Sequence, residues 1–175
     1  YVATSRLSFV AIGLGLFAAG AVFFTNTVGH VQDRIDAWRN PFDPDLFNAE
    51  VGGSYQIAQS LFAQADGGLF GTGFAQSLLH LPGGGRLLPA AETDLIYALI
   101  TNELGLAGAA ALIGVYLLIV ERGFKIAMLA DDSFSKLLAT GLTAVFALQV
   151  FVIIGGVTKL IPLTGVTLPF VSYGG

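Results

Sequence analysis

Three stretches of the chain are almost devoid of polar side chains. Residues 7–29 carry no charge and follow Arg6, residues 95–120 are interrupted only by Glu103, and residues 137–157 are charge-free with Lys159 just beyond. A helix of about 20 apolar residues crosses a hydrocarbon core. Each stretch has that length, is too long for an ordinary strand, and lacks strict alternation, so helix is the predicted conformation. The pattern predicts an all-α, polytopic integral membrane protein with three transmembrane helices in this chain, forming part of a single membrane domain.

The polar segments between them are unequal. Residues 30–93 form a long loop opening with "HVQDRIDAWRNPFDPDLFN", where Asp33, Arg34, Asp36 and Arg39 are placed on a short helix around Trp38 that Pro41 and Pro44 end. Tyr55 to Ala65 reads as an amphipathic helix, with Ile57, Ser60, Leu61 and Gln64 at helical spacing. The "DGGLFGTG" that follows is glycine punctuation, a stop and a tight loop. Loops of this length are often functional, and short helices folded back over the membrane helix ends are expected here. Residues 121–136 form a short loop with Arg122, Lys125 and Lys136, and Arg6 falls on the same side. The positive-inside rule makes that side cytoplasmic and the long loop and the 158–175 tail external.

Composition agrees: 54% of the 175 residues are hydrophobic and 11% charged, against roughly 25% charged in soluble domains. A net charge of −4 without a basic cluster argues against nucleic acid as a partner. With no cysteine there is no disulfide framework, thiol nucleophile or cysteine metal site. His30 and His80 lack ligand spacing and read as loop residues. No P-loop, dinucleotide fingerprint or zinc motif occurs. The chain starts without Met and ends in "FVSYGG", and is expected to be a piece of a longer polytopic protein.

Candidate chemistry lies in the acids and the tail. Asp94 is expected in the first turn of the second helix with Thr93 as its N-cap, where the helix dipole favours negative charge. It reads either as a helix-start acid or as a general base facing a sheltered cavity. Glu103, nine residues on, would lie roughly 14 Å up the axis and on the opposite face, too far to pair with Asp94. It is a buried structural polar group or a relay. The tail "TKLIPLTGVTLPFVSYGG" contains Pro162 and Pro169, which rule out a straight helix. Irregular backbone at membrane depth is tolerated only when buried in protein or lining a cavity. Lys159 and Arg86 are candidate anion partners, beside the readings of a snorkelling lysine and a solvated loop charge. These features fit an enzyme acting on a lipid-linked substrate, and they also fit a transporter.

Four ordered stretches carry a resemblance to a known family. "RIDAWRNPFDP", "YQIAQSLFAQADGGLFGTGF", "ETDLIYALITNELGLAG" and "IPLTGVTLPFVSYGG" resemble the signatures of the shape, elongation, division and sporulation (SEDS) glycosyltransferases, the RodA, FtsW and SpoVE proteins, in an actinobacterial type. The resemblance implies a fold of about ten membrane helices, of which this chain would hold the seventh to ninth. It implies an inverting glycosyltransferase that polymerises lipid II into β-1,4 glycan strands outside the cytoplasmic membrane, with undecaprenyl diphosphate as leaving group. Implied partners are the growing glycan, a class B penicillin-binding protein and other divisome or elongasome membrane proteins. Asp94 corresponds to the family's essential aspartate, the expected general base. Thr93, Arg86, Lys159 and Ser172 are the expected substrate-binding residues, and Glu103, Pro162 and Pro169 the expected cavity-forming ones. A divalent cation, magnesium or manganese, is a candidate for the leaving group's charge, although no protein metal site is visible. The chain departs from the family pattern in two places. Glu92 stands where His often precedes the Thr-Asp pair, and Asn102–Glu103 stands for a double Glu, which leaves the helper of Asp94 open. The alternative roles are a lipid II flippase and a scaffold for wall synthesis.

Overall fold

A computed structural model describes residues 7–49, 53–77 and 87–174. Every regular element among them is a helix: α1 Leu7–Thr27, α2 Gly29–Arg39, α3 Pro44–Phe47, α4 Tyr55–Gly67, α5 Ile96–Leu129 and α6 Ser133–Val157. Helices α1, α5 and α6 are long and apolar enough to cross a membrane, as the hydrophobic pattern predicts. α1 is apolar on all sides and buries none of its residues. That surface suits lipid or further helices rather than water.

The short elements end where local chemistry says they should. Val28 adopts an extended conformation and separates α1 from α2. Asn40 closes α2 before buried Pro41. Pro44 opens α3, where its missing N–H costs nothing, and the Asp43 side chain accepts from Asp45 N at 3.0 Å. α4 buries Ile57, Ala58 and Ser60 and runs two residues past the predicted Tyr55–Ala65.

The largest boundary differences from the sequence expectation are at the end of α5 and the start of α6. α5 does not stop at Val120 but continues through "ERGFKIAML" to Leu129. Charged residues end a membrane span, yet Glu, Arg and Lys are good helix formers, so the helix itself goes on. The expected 121–136 loop thereby shrinks to three residues, 130–132. α6 begins at Ser133 rather than Leu137, because Asp132 caps it by accepting from Ser135 N at 2.8 Å. That bond holds the Asp132 carboxyl below the usual aspartate range. The cap's contribution is therefore complete above the ordinary aspartate pKa and is lost as pH falls through the lowered value.

α5 packs along α6, and α4 packs along α5. Leu88, Leu95 and Val157 form one cluster with Tyr97 and Ala98. Tyr116, Val150, Ile153 and Leu168 form a second. Leu168 belongs to the tail, so the segment after α6 turns back onto the two membrane helices. Tyr116 of α5 donates to Pro169 O at 2.7 Å and fixes this re-entry.

The second half of α5 is offset from the first. Gly105 has φ 69° and ψ −171°, a conformation essentially confined to glycine. The break removes the rungs that Leu106 and Ala107 would make to Asn102 and Glu103. The glycine-rich loop after α4 replaces them: Leu106 N donates to Gly68 O (2.9 Å), Ala107 N to Leu69 O (3.1 Å), Thr72 N to Asn102 O (2.9 Å) and Gly73 N to Glu103 O (3.1 Å). Four amide bonds thus satisfy the groups that would otherwise be orphaned inside a membrane helix. "DGGLFGTG", read from sequence as a stop and a loop, is the plug of a broken helix.

Candidate active site

A cleft of about 350 Å³ opens between α2, α4 and the tail; its lining includes Arg34, Tyr55, Gln56, Asp94, Leu163 and Gly165. Each wall arrives by a different route. α2 is tied to the tail by Arg34 Nη1, which donates to Leu163 O and Thr164 O, both at 3.1 Å, and by Trp38 Nε1, which donates to Lys159 O at 3.0 Å. α4 is tied to the end of α6 by Gln64 Nε2, which donates to Val157 O at 3.0 Å.

Asp94 reaches the cleft from the turn before α5. The helix starts at Ile96 with Leu95 as its cap residue and no side-chain cap. Thr93 is therefore not the N-cap: its hydroxyl donates back to Ala90 O at 3.3 Å. Tertiary contacts hold this turn instead. Ser172 Oγ donates to Thr93 O at 2.6 Å and accepts from Leu168 N at 2.8 Å, while Tyr173 N donates to Glu92 O at 2.9 Å. Leu95 beside it is wholly buried. Asp94 itself is half-buried, and among the described residues nothing bonds to its carboxylate.

Both an acid and a cation approach Gly165. A methyl group built on it would lie 3.5 Å from Asp94 Oδ2 and 4.0 Å from Arg34 Nη2. Its φ of +69° also favours glycine. Asp94 and Arg34 thus face one open space. With one guanidinium nitrogen spent on two carbonyls, Arg34 still presents donors on its other side.

The other sequence candidates lie elsewhere. Ser172 is buried and committed to the main chain, so it positions the turn bearing Asp94 and does not line the cleft. Lys159 adopts a left-handed conformation at the end of α6 and points its Nζ at Arg39 O, 3.5 Å away. It neutralises the carbonyl end of α2 and is not among the cleft residues. Pro162 and Pro169 lie in the re-entrant tail. Arg86 and His80 fall outside the described residues, as does Arg6. Arg34, Gln56 and Gly165 went unrecognised as site residues. Arg34 stood in the "RIDAWRNPFDP" motif, but nothing local to it indicates that α2 folds against the tail 129 residues away.

Glu103 is well removed from this chemistry. Ser77 Oγ donates to its Oε1 at 2.8 Å, and Asn102 beside it donates to Ala63 O at 2.8 Å. The first ties the segment just after the plug to the break, and the second ties α4 to it. Glu103→Gln in the full-length protein keeps an acceptor for Ser77 and is expected to stay within about 1 kcal/mol of the parent, whereas Glu103→Leu strands the hydroxyl and should cost about 1–3 kcal/mol. Thermal unfolding in detergent separates the two. Equal damage from both variants would mean that the charge itself is required.

Among the described residues no three His, Cys, Asp or Glu side chains gather to hold a metal. Asp94, with the Arg34 guanidinium near the same glycine, is not by itself a fitting donor set for a divalent cation.

The comparisons with known proteins agree with this architecture. The family of cell cycle proteins typified by FtsW, RodA and SpoVE matches residues 1–175. The peptidoglycan glycosyltransferase RodA of Mycobacterium leprae is 49% identical over the whole chain and 35% of its own length. Stage V sporulation protein E of Bacillus subtilis is 38% identical over the whole chain and 45% of its length. A probable peptidoglycan glycosyltransferase FtsW of Trichlorobacter lovleyi is 37% identical over the whole chain and 44% of its length. The chain therefore spans between a third and a half of the curated relatives it matches, and it belongs to the FtsW/RodA/SpoVE family of multi-pass membrane proteins.

Proposed function

We propose that the full-length protein is a peptidoglycan glycosyltransferase that polymerises lipid II on the outer face of the cytoplasmic membrane, with Asp94 as general base. The observation that carries this reading is the placement in an open cleft of a half-buried carboxylate that has no bonded partner among the described residues and approaches the same glycine as a guanidinium. In the reaction the Asp94 carboxylate takes the proton from the 4-hydroxyl of the acceptor's N-acetylglucosamine. That oxygen forms a bond to C1 of the donor's N-acetylmuramic acid as the C1–oxygen bond to undecaprenyl diphosphate breaks, with inversion. The diphosphate departs as an anion, so a strong general acid is not needed, and a cation at the cleft suits the charge that develops. A class B penicillin-binding protein is the proposed partner, cross-linking the strands.

The broken α5 favours a second reading, a lipid II flippase, because discontinuous membrane helices line many transport sites. Here the freed carbonyls and amides of the break are taken by the loop plug, which supports the enzyme reading. The test is incubation of the purified full-length protein and its transpeptidase partner with lipid II in detergent micelles, where no second membrane face exists. Glycan polymer on a gel is the expected product. Its absence, with lipid II translocation in vesicles, would favour the flippase.

A further inference from the structure

We infer that Gln56 is a specificity residue that reads the 2-acetamido group of the sugar held at Asp94, an assignment that rests on the glycosyltransferase reading above. It comes from accounting for the polar side chains that line the cleft. Tyr55 OH donates to Leu87 O at 3.2 Å, and Arg34 Nη1 is held by the carbonyls of Leu163 and Thr164. Asp94 takes part in proton transfer. Gln56 is exposed to the cleft and has no hydrogen-bond partner among the described residues. It is the cleft's uncharged group with both a donor and an acceptor free.

A carboxamide is the complement of another amide: its carbonyl accepts the substrate N–H and its NH₂ donates to the substrate carbonyl. An acetamido group also carries a methyl, and the wall next to Gln56 supplies apolar neighbours for one, Ile57 on the same helix and Ala37 of α2, both buried. Small residues, Ala49, Gly53 and Gly165, are among those that line the same cleft as Gln56 and the acid. A polar pair flanked by an apolar contact suits an N-acetylhexosamine better than an unsubstituted sugar. Sites built to hydrogen-bond a substrate group discriminate strongly against analogues that lack it.

The test compares kcat/KM of the full-length protein, with its transpeptidase partner, on lipid II and on lipid II whose glucosamine bears a free amine in place of the acetamide. Wild type is expected to prefer the acetylated substrate. Gln56→Ala should lose roughly tenfold of that preference, about the worth of one or two neutral hydrogen bonds, by falling on lipid II and not on the amine. Gln56→Glu keeps the size and the acceptor, removes the donors and attracts the substrate amine, so it should lose at least as much of the preference as Gln56→Ala, in part by rising on the amine substrate. Equal falls on both substrates, or an unchanged ratio in an active variant, would overturn the assignment of Gln56 and leave the polymerase reading intact. A wild type inactive on both substrates would overturn the two together.

Discussion

Asp94→Asn in the full-length protein is expected to lower lipid II polymerisation by roughly 10²–10⁴-fold, the usual contribution of a positioned general base. Thermal stability and binding of the transpeptidase partner should be nearly unchanged. The substitution is isosteric, and the carboxylate has no bonded partner among the described residues, so the fold loses little when its charge is removed. What holds the site is the main chain of the same turn, through Ser172 on Thr93 and Tyr173 on Glu92. The contrast with Ser172→Ala makes the assignment sharper. Losing that hydroxyl frees the Asp94 turn and unpairs buried Leu168 N, so stability and rate should fall together. Polymerisation assayed with labelled lipid II, beside thermal unfolding, reads both. An Asp94→Asn protein that still makes glycan at the parent rate would remove Asp94 from the mechanism.

Gly105→Ala should be among the most destructive small substitutions in the described residues. Alanine is strained at φ 69°, ψ −171°, and its methyl would strike the backbone of Gly71 and Leu69 in the plug. Strain in that region costs about 1–3 kcal/mol. Displacing the plug would also uncouple four amide bonds whose partners sit inside a membrane helix, so a total beyond about 4 kcal/mol, or failure to fold, is expected. Gly71→Ala meets the Glu103 carbonyl from the other side and should be similarly damaging. Gly114→Ala is the control. It lies in the same helix with nothing within 4 Å of the added methyl, and should be nearly neutral. Folded yield and melting temperature in detergent measure all three. A well-folded Gly105→Ala protein would show that the break is not required.

Much of the architecture was legible along the chain because it depends on local quantities. Charge-free runs of sufficient length define membrane helices whatever surrounds them, whereas Pro44, read from the sequence only as part of a helix stop, also opens α3. Local chemistry left Asp94 open between a helix-start acid and a general base, because acids are common at helix starts, and it was the Thr-Asp motif shared with the family that singled it out. Helix ends near charge were harder, as α5 shows: Glu121, Arg122 and Lys125 end the apolar run without ending the helix.

The tertiary structure decided what depends on distant partners. Sequence could count the glycines of "DGGLFGTG" but could not say that their backbone would complete α5, because each rung joins residues 30 or 38 positions apart and carries no side-chain signature. It put Lys159 and Ser172 near the substrate through their hydroxyl and charge. Folding instead turned Lys159 toward the carbonyl end of α2 and spent Ser172 on main-chain groups. Arg34, 60 residues before Asp94, gained its place only when α2 closed on the tail. Composition and periodicity determined that this chain crosses a membrane and keeps acids at its edge. Which acid faces open space, and which cation and amide share that space with it, followed from hydrogen bonds between segments that are far apart in the chain.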